Sequence, residues 1–413
     1  MKIAFLTLGC KLNYAETSTY ERGFVAAGLT VVGPKQQADL YLINTCSVTA
    51  TSDSKSRNLI RKVNRLNPQA KIIVTGCSAQ LRREELEALP GVWKIFGCRQ
   101  KAELVEVCLK ELGYETSDCG RLVEPAMFGA YSSGERTRSF LKVQDGCDNK
   151  CKYCTVPFAR GESRNIPICQ CVKMAEEIAA AGIKEVVLTG VNTGSFGKSS
   201  GESFLDLLKA LNEVQGIERY RISSIEPNLL TDDIIDWIAA GGSKFQPHFH
   251  IPLQTGCDEL LEKMGRHYST DFFARKIGYI RSKMGEDVFI GIDVMVGLPG
   301  ESEELFGRTR KFLEELRPAF IHIFPYSRRP GTEAAAMPGQ VSEEVKKRRV
   351  AELEELCARL HGEFVEAQKG KRMPVLFESK EKDGTMGGYS PNYVRVTRPW
   401  NKDWSGRIVE VEI

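Results

Sequence analysis

Three short apolar runs in the first eighty residues, KIAFLTLGC, DLYLINTC and AKIIVTGC, each pass through a Gly or polar turn into a stretch of helical periodicity, at 15–27, 52–67 and 82–88. This alternation constrains the fold strongly. Strands of this kind pair in parallel, each return needs a helical crossover, and every strand then ends on the same edge of the sheet. Residues 1–118 are therefore expected to form a parallel α/β sheet with covering helices. Residues 119–137 carry neither periodicity, and with Gly129, Ser132 and Ser133 they read as a linker. A second set of six strand-like runs follows: FLKVQD, EVVLTG, RYRISSI, PHFHIPL, VFIGIDVMVG and FIHIFPY, each separated from the next by a helix-like stretch. Six βα units predict an open, partial (β/α)6 barrel. The stretch SEEVKKRRVAELEELCARLHGEFVEAQKG predicts a closing helix, which completes a unit over 138–370. The final segment, 371–413, alternates around Gly and Pro turns in VLFES, YVRVT and RIVEVEI, the pattern of a small β-barrel. A length of 413 residues accommodates such an α/β chain of several domains.

Lys and Arg number 57 against 54 Asp and Glu, a net charge of +3, so any nucleic acid must be held by a local basic surface. The 13 cysteines are odd in number and scattered, unlike a small secreted disulfide scaffold, and metal ligation outranks disulfides. The N-terminal apolar run is too short for a signal segment, and nothing approaches the roughly 18 apolar residues of a membrane span. The expectation is a soluble cytoplasmic protein without a membrane partner.

Cys147, Cys151 and Cys154, in QDGCDNKCKYC, place three thiols within one loop directly after a predicted strand. A 4Fe-4S cluster takes four ligands, so three thiolates from one loop would leave one iron open. A zinc site would need a fourth ligand, and the candidates Cys169 and Cys171 fall in the next helical stretch. The spacing, with Tyr153 before the third cysteine, resembles the radical-SAM superfamily. That resemblance implies that the open iron chelates S-adenosylmethionine, that one-electron cleavage yields a 5′-deoxyadenosyl radical, and that the barrel mouth shields it. It also implies cofactor contacts from Tyr153, from Gly190 and Asn192 in TGVNTG, from Ser224 and Glu226 in SSIEP, and from Gln254 in HIPLQTG. Read singly, each of these stretches is equally a tight βα turn or a helix cap.

Cys10, Cys46 and Cys77 are far apart in the chain, yet each follows the end of a predicted parallel strand, so they can converge if their strands are neighbours. Three separately buried cysteines are the alternative. Taken with the downstream motif, TLGCKLN, INTCSVT and VTGCSAQ resemble the methylthiotransferases over the whole chain. The resemblance implies a second 4Fe-4S cluster held by these three cysteines, with an open iron carrying a sulfur species. The other cysteines, among them Cys98, have no common spacing and are expected to be structural.

Inserting sulfur at an unactivated aromatic C–H calls for a radical, so acid–base residues need not be prominent. The five histidines show no metal or triad pattern, and His248 and His250, on one face of a strand, are expected to be structural. The C-terminal segment resembles the RNA-binding TRAM module, though it is short by comparison. Arg395, Arg398, Lys402 and Arg407 lie among Tyr393, Trp400 and Trp404, cations and stacking surfaces suited to RNA or, equally, a solvated face. Basic stretches at 55–65 and 346–349 are candidates to share that load. TLGCKLN, KSRNLIRK and PFARGESR resemble the branch that modifies N6-threonylcarbamoyladenosine beside the tRNA anticodon. That branch implies the tRNA anticodon stem-loop as partner, with a reductase or flavodoxin-type electron donor and a sulfur donor. The alternatives are isopentenyladenosine in tRNA, an aspartate of a ribosomal protein, or, in another class, an iron–sulfur RNA-binding or electron-transfer protein. Arg160 and Arg164, in the loop after the first cysteine trio, are candidates for orienting substrate or cofactor; a structural ion pair is the other reading.

Overall fold

The computed structural model describes residues 1–114, 128–133, 137–378 and 382–413. The N-terminal unit runs β1 (Lys2–Thr7), α1 (Lys11–Ala26), β2 (Thr30–Val31), β3 (Leu40–Thr45), α2 (Ala50–Leu66), β4 (Lys71–Gly76), α3 (Cys77–Leu81), α4 (Arg83–Glu87), β5 (Val92–Phe96) and α5 (Leu104–Glu111). Its five strands pair in parallel in the order β2-β1-β3-β4-β5. β1, β3 and β4 are thus immediate neighbours, as convergence of their cysteines requires. The strands of this sheet at 30–31 and 92–96 were not anticipated from the sequence, nor was α5.

The expected linker is partly built into the fold. Within it β6 (Ala130–Tyr131) pairs antiparallel with β7 (Arg138–Lys142), and Ser132 Oγ accepts from the Phe140 amide at 2.8 Å. Ser133 is held to α1 by Ser18 and Arg22. The rest of that segment, 119–127 and 134–136, lies outside the described residues.

The chain then continues through β8 (Gln144–Asp145), α6 (Val156–Arg160), β9 (Arg164–Asn165), α7 (Ile168–Ala180), β10 (Glu185–Thr189), α8 (Phe204–Asn212), β11 (Arg219–Ile222), α9 (Asp232–Ala239), β12 (His248–Gln254), α10 (Asp258–Lys263), α11 (Thr270–Met284), β13 (Phe289–Val296), α12 (Glu303–Leu316), β14 (Phe320–Pro325), α13 (Glu333–Ala336) and α14 (Glu343–Glu366). Strands β7, β10 and β11 form one parallel group, and β12, β13 and β14 another. Bridges from Tyr220 to Phe245 and from Ser224 to His250 join the groups into the six-stranded partial barrel.

Strand alternation decides what faces the lumen. Leu141, Val186, Leu188, Ile222, Ile251, Ile292 and Val294 point outward into the main core beneath the helices, each buried side chain contributing roughly 2 kcal/mol. The opposite face, which includes Arg138, Glu185, Arg221, His250, Asp293 and His322, is polar. Ser342 caps α14, its Oγ accepting from the Val345 amide, and Leu353, Leu356 and Leu360 pack that helix on the barrel's open edge.

The C-terminal strands β15 (Arg372–Phe377), β16 (Thr385–Tyr389), β17 (Arg395–Pro399) and β18 (Ile408–Glu412) form an antiparallel sheet in the order β17-β16-β15-β18. Its side chains overturn part of the sequence reading. Trp400 and Trp404 pack against this sheet's own small core, and Tyr393 turns away from the surface into the barrel floor. Arg138 Nη1 donates to Tyr393 Oη at 3.2 Å, and the ring lies 4.6 Å from that of His248. The basic stretch at 346–349 is divided, with Lys347 and Arg348 exposed. Lys346 and Arg349 are buried and engaged by Glu343, Glu301 and Glu303. The 55–65 stretch, in contrast, leaves Lys55, Arg61, Lys62 and Arg65 exposed on α2.

Candidate functional site

Cys10 is the N-cap of α1, Cys46 follows the last residue of β3, and Cys77 opens α3 directly after β4, so all three stand on one edge of the sheet. Close backbone approach enforces this. Gly9 has φ +102°, and a Cβ there would stand 2.8 Å from Cys46 Cβ; Gly76, at φ +100°, would drive one to 2.3 Å from Thr45 O. Cys46 lies within electrostatic reach of both other thiols and is pushed up first by burial and then by Cys77 and Cys10. Cys98, read as structural, lies against Cys77 in one buried cluster, and its hydrogen bond is the first cause drawing Cys77 down to about 5.

The first trio sits in the loop between β8 and α6, at the barrel mouth. Backbone bonds pin that loop, from Lys152 N to Met264 O and from Ala334 N to Lys152 O. Burial, followed by its neighbouring thiols, pushes Cys154 up to about 12. A bound metal would have to displace such protons. Arg266, which carries no sequence signal, is 3 % exposed; its Nη1 donates to Cys151 Sγ at 3.1 Å and to Tyr153 Oη at 3.4 Å, and its Nη2 to Glu226. Arg266 thus gathers Cys151, Tyr153 and Glu226 at one point, while the Tyr153 ring packs with Met264 and Leu298.

The turns after the neighbouring strands close on the same mouth. Gln144 Oε1 accepts from the Val191 and Asn192 amides at 2.9 Å each, and a Cβ on Gly190 would stand 2.8 Å from that oxygen. Asn192 is buried, and among the described residues both ends of its amide lack partners. That omission costs roughly 1–3 kcal/mol per group unless a ligand supplies the bonds. Ser224 offers its carbonyl to Thr193 Oγ1 at 2.9 Å. Gln254 ends β12 with φ +73° beside a register shift, strained backbone of the kind that gathers at functional sites.

The two trios are bolted together. Thr155 Oγ1, beside Cys154, donates to Ser47 O, beside Cys46, at 3.4 Å. Arg160 is buried and donates to Asn13 Oδ1 at 2.7 Å and Asp145 Oδ1 at 2.8 Å, with Glu16 Oε1 at 3.5 Å. Arg164 donates to Asp145 Oδ2 at 3.1 Å and Arg160 O at 2.7 Å. Both arginines are spent on the protein, in the manner of structural ion pairs. Asp53, in α2, accepts from Ser47 and Ser78 and is met by Arg329 Nη2 at 2.5 Å, a second brace that sequence reading missed. A cavity of about 550 Å³ behind the arginines, lined by Arg99, Lys101 and Arg164, reaches Cys98 but none of the six cysteines of the trios.

Residues 2–97 match the Uncharacterized protein family UPF0004, and residues 141–313 match the Radical SAM superfamily. The threonylcarbamoyladenosine tRNA methylthiotransferase MtaB of Bacillus subtilis is 37% identical, over all of this chain and 93% of its own. The chain belongs to the radical-SAM methylthiotransferase family. The Aquifex aeolicus MtaB is 36% identical over the full length of both chains, and a tRNA-2-methylthio-N(6)-dimethylallyladenosine synthase of Wolinella succinogenes is 32% identical over all of this enzyme and 96% of its own chain. Among solved structures, the radical S-adenosylmethionine methyltransferase TsrM of Kitasatospora setae shares the fold at 15% identity and TM-score 0.59, covering 81% of this chain and 77% of that one. No helix among the described residues of this methylthiotransferase is long and apolar enough to cross a membrane.

Proposed function

We propose that the enzyme converts N6-threonylcarbamoyladenosine beside the tRNA anticodon to its 2-methylthio derivative. The observation that carries this reading is the meeting of two cysteine trios through Thr155 and Ser47 at one barrel mouth, in a chain 37% identical to a protein named for that reaction. The residues fit the groups such chemistry requires. Cys147, Cys151 and Cys154 would hold one 4Fe-4S cluster, and Cys10, Cys46 and Cys77 the other, each with three thiolates and so an open iron. Tyr153, Gly190, Asn192, Ser224, Glu226 and Gln254 would bind S-adenosylmethionine, and the unpartnered Asn192 amide supports that assignment. When bound, these groups supply the one-electron chemistry and the sulfur that no side chain can provide.

The protein's own work is positional. Arg266 orients Tyr153 and Glu226 at the first trio, and Arg160 and Arg329 fix the distance between the trios. The exposed basic face of α2, beside Cys46, is suited to the phosphates of the stem-loop, which must present its base unstacked. A reductase or flavodoxin-type donor supplies electrons, and a separate donor renews the sulfur. In domain terms, 1–118 binds the sulfur-carrying cluster, 138–370 generates the radical, and 371–413 supports the RNA.

Nucleoside mass spectrometry tests the reading, after anaerobic incubation of reconstituted enzyme, dithionite and S-adenosylmethionine with tRNA bearing either threonylcarbamoyl- or isopentenyladenosine. A methylthio mass shift on the first alone is expected. A shift on the second alone moves the substrate one branch over.

A further inference from the structure

The barrel lumen holds a polar cluster that the cysteine chemistry does not use. His250, Asp293 and His322 lie on the inner faces of three adjacent strands, β12, β13 and β14, with their ligand-capable atoms within 4.8 Å of one another. His250 Nε2 and Asp293 Oδ1 are hydrogen-bonded at 2.7 Å, and the His250 and His322 rings are 4.9 Å apart. Across the lumen, at the first turn of α1 and next to Cys10, Lys11 is solvent-reachable, and among the described residues no hydrogen bond or ion pair occupies its ammonium. Its charge is felt by His248, His322 and Tyr393.

Such spacing of two imidazoles and a carboxylate could seat a divalent cation, but the surrounding charge argues for an anion. On the floor one buried carboxylate, Glu185, serves three guanidiniums: Arg221 at 2.9 Å, Arg138 at 3.7 Å and Arg219 at 3.9 Å. Asp293 and, 4.0 Å from Arg138, Glu378 offset part of that charge, but with Lys11 added four cations face three carboxylates, and low-dielectric walls focus the remaining field into the chamber. The Lys11 ammonium stands toward this floor, where burial and then Arg138 and Arg221 draw it below the usual lysine range while Tyr393 opposes them.

We propose that Lys11, His322 and the His250–Asp293 pair form the subsite for the N6 substituent of the target adenosine, with Lys11 taking its carboxylate. The inference rests on the threonylcarbamoyl reading and deepens it. A threonylcarbamoyl group carries one carboxylate, a hydroxyl and a urea; the ammonium answers the first, and the imidazoles and Asp293 offer donors and an acceptor to the others. An isopentenyl group would leave these groups desolvated and unpaired, which is how a site built for a polar ligand rejects an apolar one.

Anaerobic fluorescence-anisotropy titration of the reconstituted holoenzyme tests this with three labelled anticodon stem-loops. One carries threonylcarbamoyladenosine, one the same group with its carboxylate converted to carboxamide, and one isopentenyladenosine. The wild type is expected to bind the acid roughly tenfold or more tightly than the amide. Lys11→Met is expected to bring that ratio toward one, and His322→Phe, which belongs to neither cysteine trio, to weaken binding of acid and amide alike while leaving the ratio in place. Equal binding of acid and amide by the wild type overturns the subsite and leaves the threonylcarbamoyl reading standing. A preference that persists in Lys11→Met, or binding of both stem-loops unchanged in His322→Phe, also overturns it. Tighter binding of the isopentenyl stem-loop by the wild type removes the functional reading along with the subsite.

Discussion

Thr155 and Ser47 meet by a hydrogen bond of 3.4 Å across 108 positions of sequence, and each is the immediate neighbour of a cysteine, one from either trio. The separation of the trios is therefore set by the interface of two domains and not by either alone. What holds that interface is a buried charge network. Glu16, fully buried on α1, accepts from Lys101 at 2.5 Å and Lys142 at 3.0 Å, with Arg160 at 3.5 Å.

Removing the Glu16 charge should loosen this junction. Glu16→Gln takes the carboxylate from buried Lys101 and leaves Lys142 and Arg160 to share Asp145, and is expected to cost about 3–5 kcal/mol, read as a fall in Tm and as faster proteolysis between the domains. An unchanged Tm would show that the network contributes nothing net.

The same network predicts acid sensitivity. Burial alone would raise the pKa of Glu16, but Lys101, Lys142 and Arg160 outweigh it and hold the group at about 2, below the roughly 4.3 of an unfolded glutamate. A depressed folded pKa means stability that is fully present above about pH 4.3 and lost as the pH falls toward 2. Denaturant titrations between pH 5 and pH 2 should show a decline, and a smaller one in Glu16→Gln.

Gly9→Ala should damage one trio and spare the other. The new methyl would collide with Cys46 in a backbone conformation that disfavours side chains. Reconstituted iron is expected to fall from about eight to about four per chain, with methylthiolation lost while 5′-deoxyadenosine still forms. Full iron loading would count against the assignment of Cys46.

Arg266→Ala should act at the first trio. It strips the partner from Glu226 and the donor from Cys151, so the apparent KM for S-adenosylmethionine is expected to rise about tenfold or more. Arg266→Lys should not rescue it, because a point charge cannot span Cys151, Tyr153 and Glu226 together. Normal kinetics in the alanine variant would reduce Arg266 to a packing residue.

The convergence of Cys10, Cys46 and Cys77 was legible before the fold because parallel strands share an edge, and a residue just past a strand inherits that edge. Arg266, Asp53 and Arg329 were not legible. They stand on helices and loops where polar residues are ordinary, and only the folded chain carries them to the cysteines. β16 was missed because its Gly387 and Gly388 weaken a strand signal, yet a Cβ on Gly388 would stand 2.6 Å from Val375 Cγ1. Tyr393 was misplaced for a conformational reason. Its φ of +62° turns the ring away from Arg395, its near neighbour in sequence, and into the barrel. The histidines showed no pattern in the sequence, and His250 was read as structural, because the cluster draws on three strands and only register brings His250, Asp293 and His322 to one level.

Tyr393 seals the end of the barrel opposite the cysteines, and Arg219 and Arg221 grip the neighbouring backbone at Tyr389, Ser390 and Pro391. The sheet that follows the barrel is thereby its stopper as well as its appendage. A chain shortened before Tyr393 would have a tunnel where it now has a chamber, open to water and to any small reductant. Its deoxyadenosine would then accumulate without product even on an RNA that still binds.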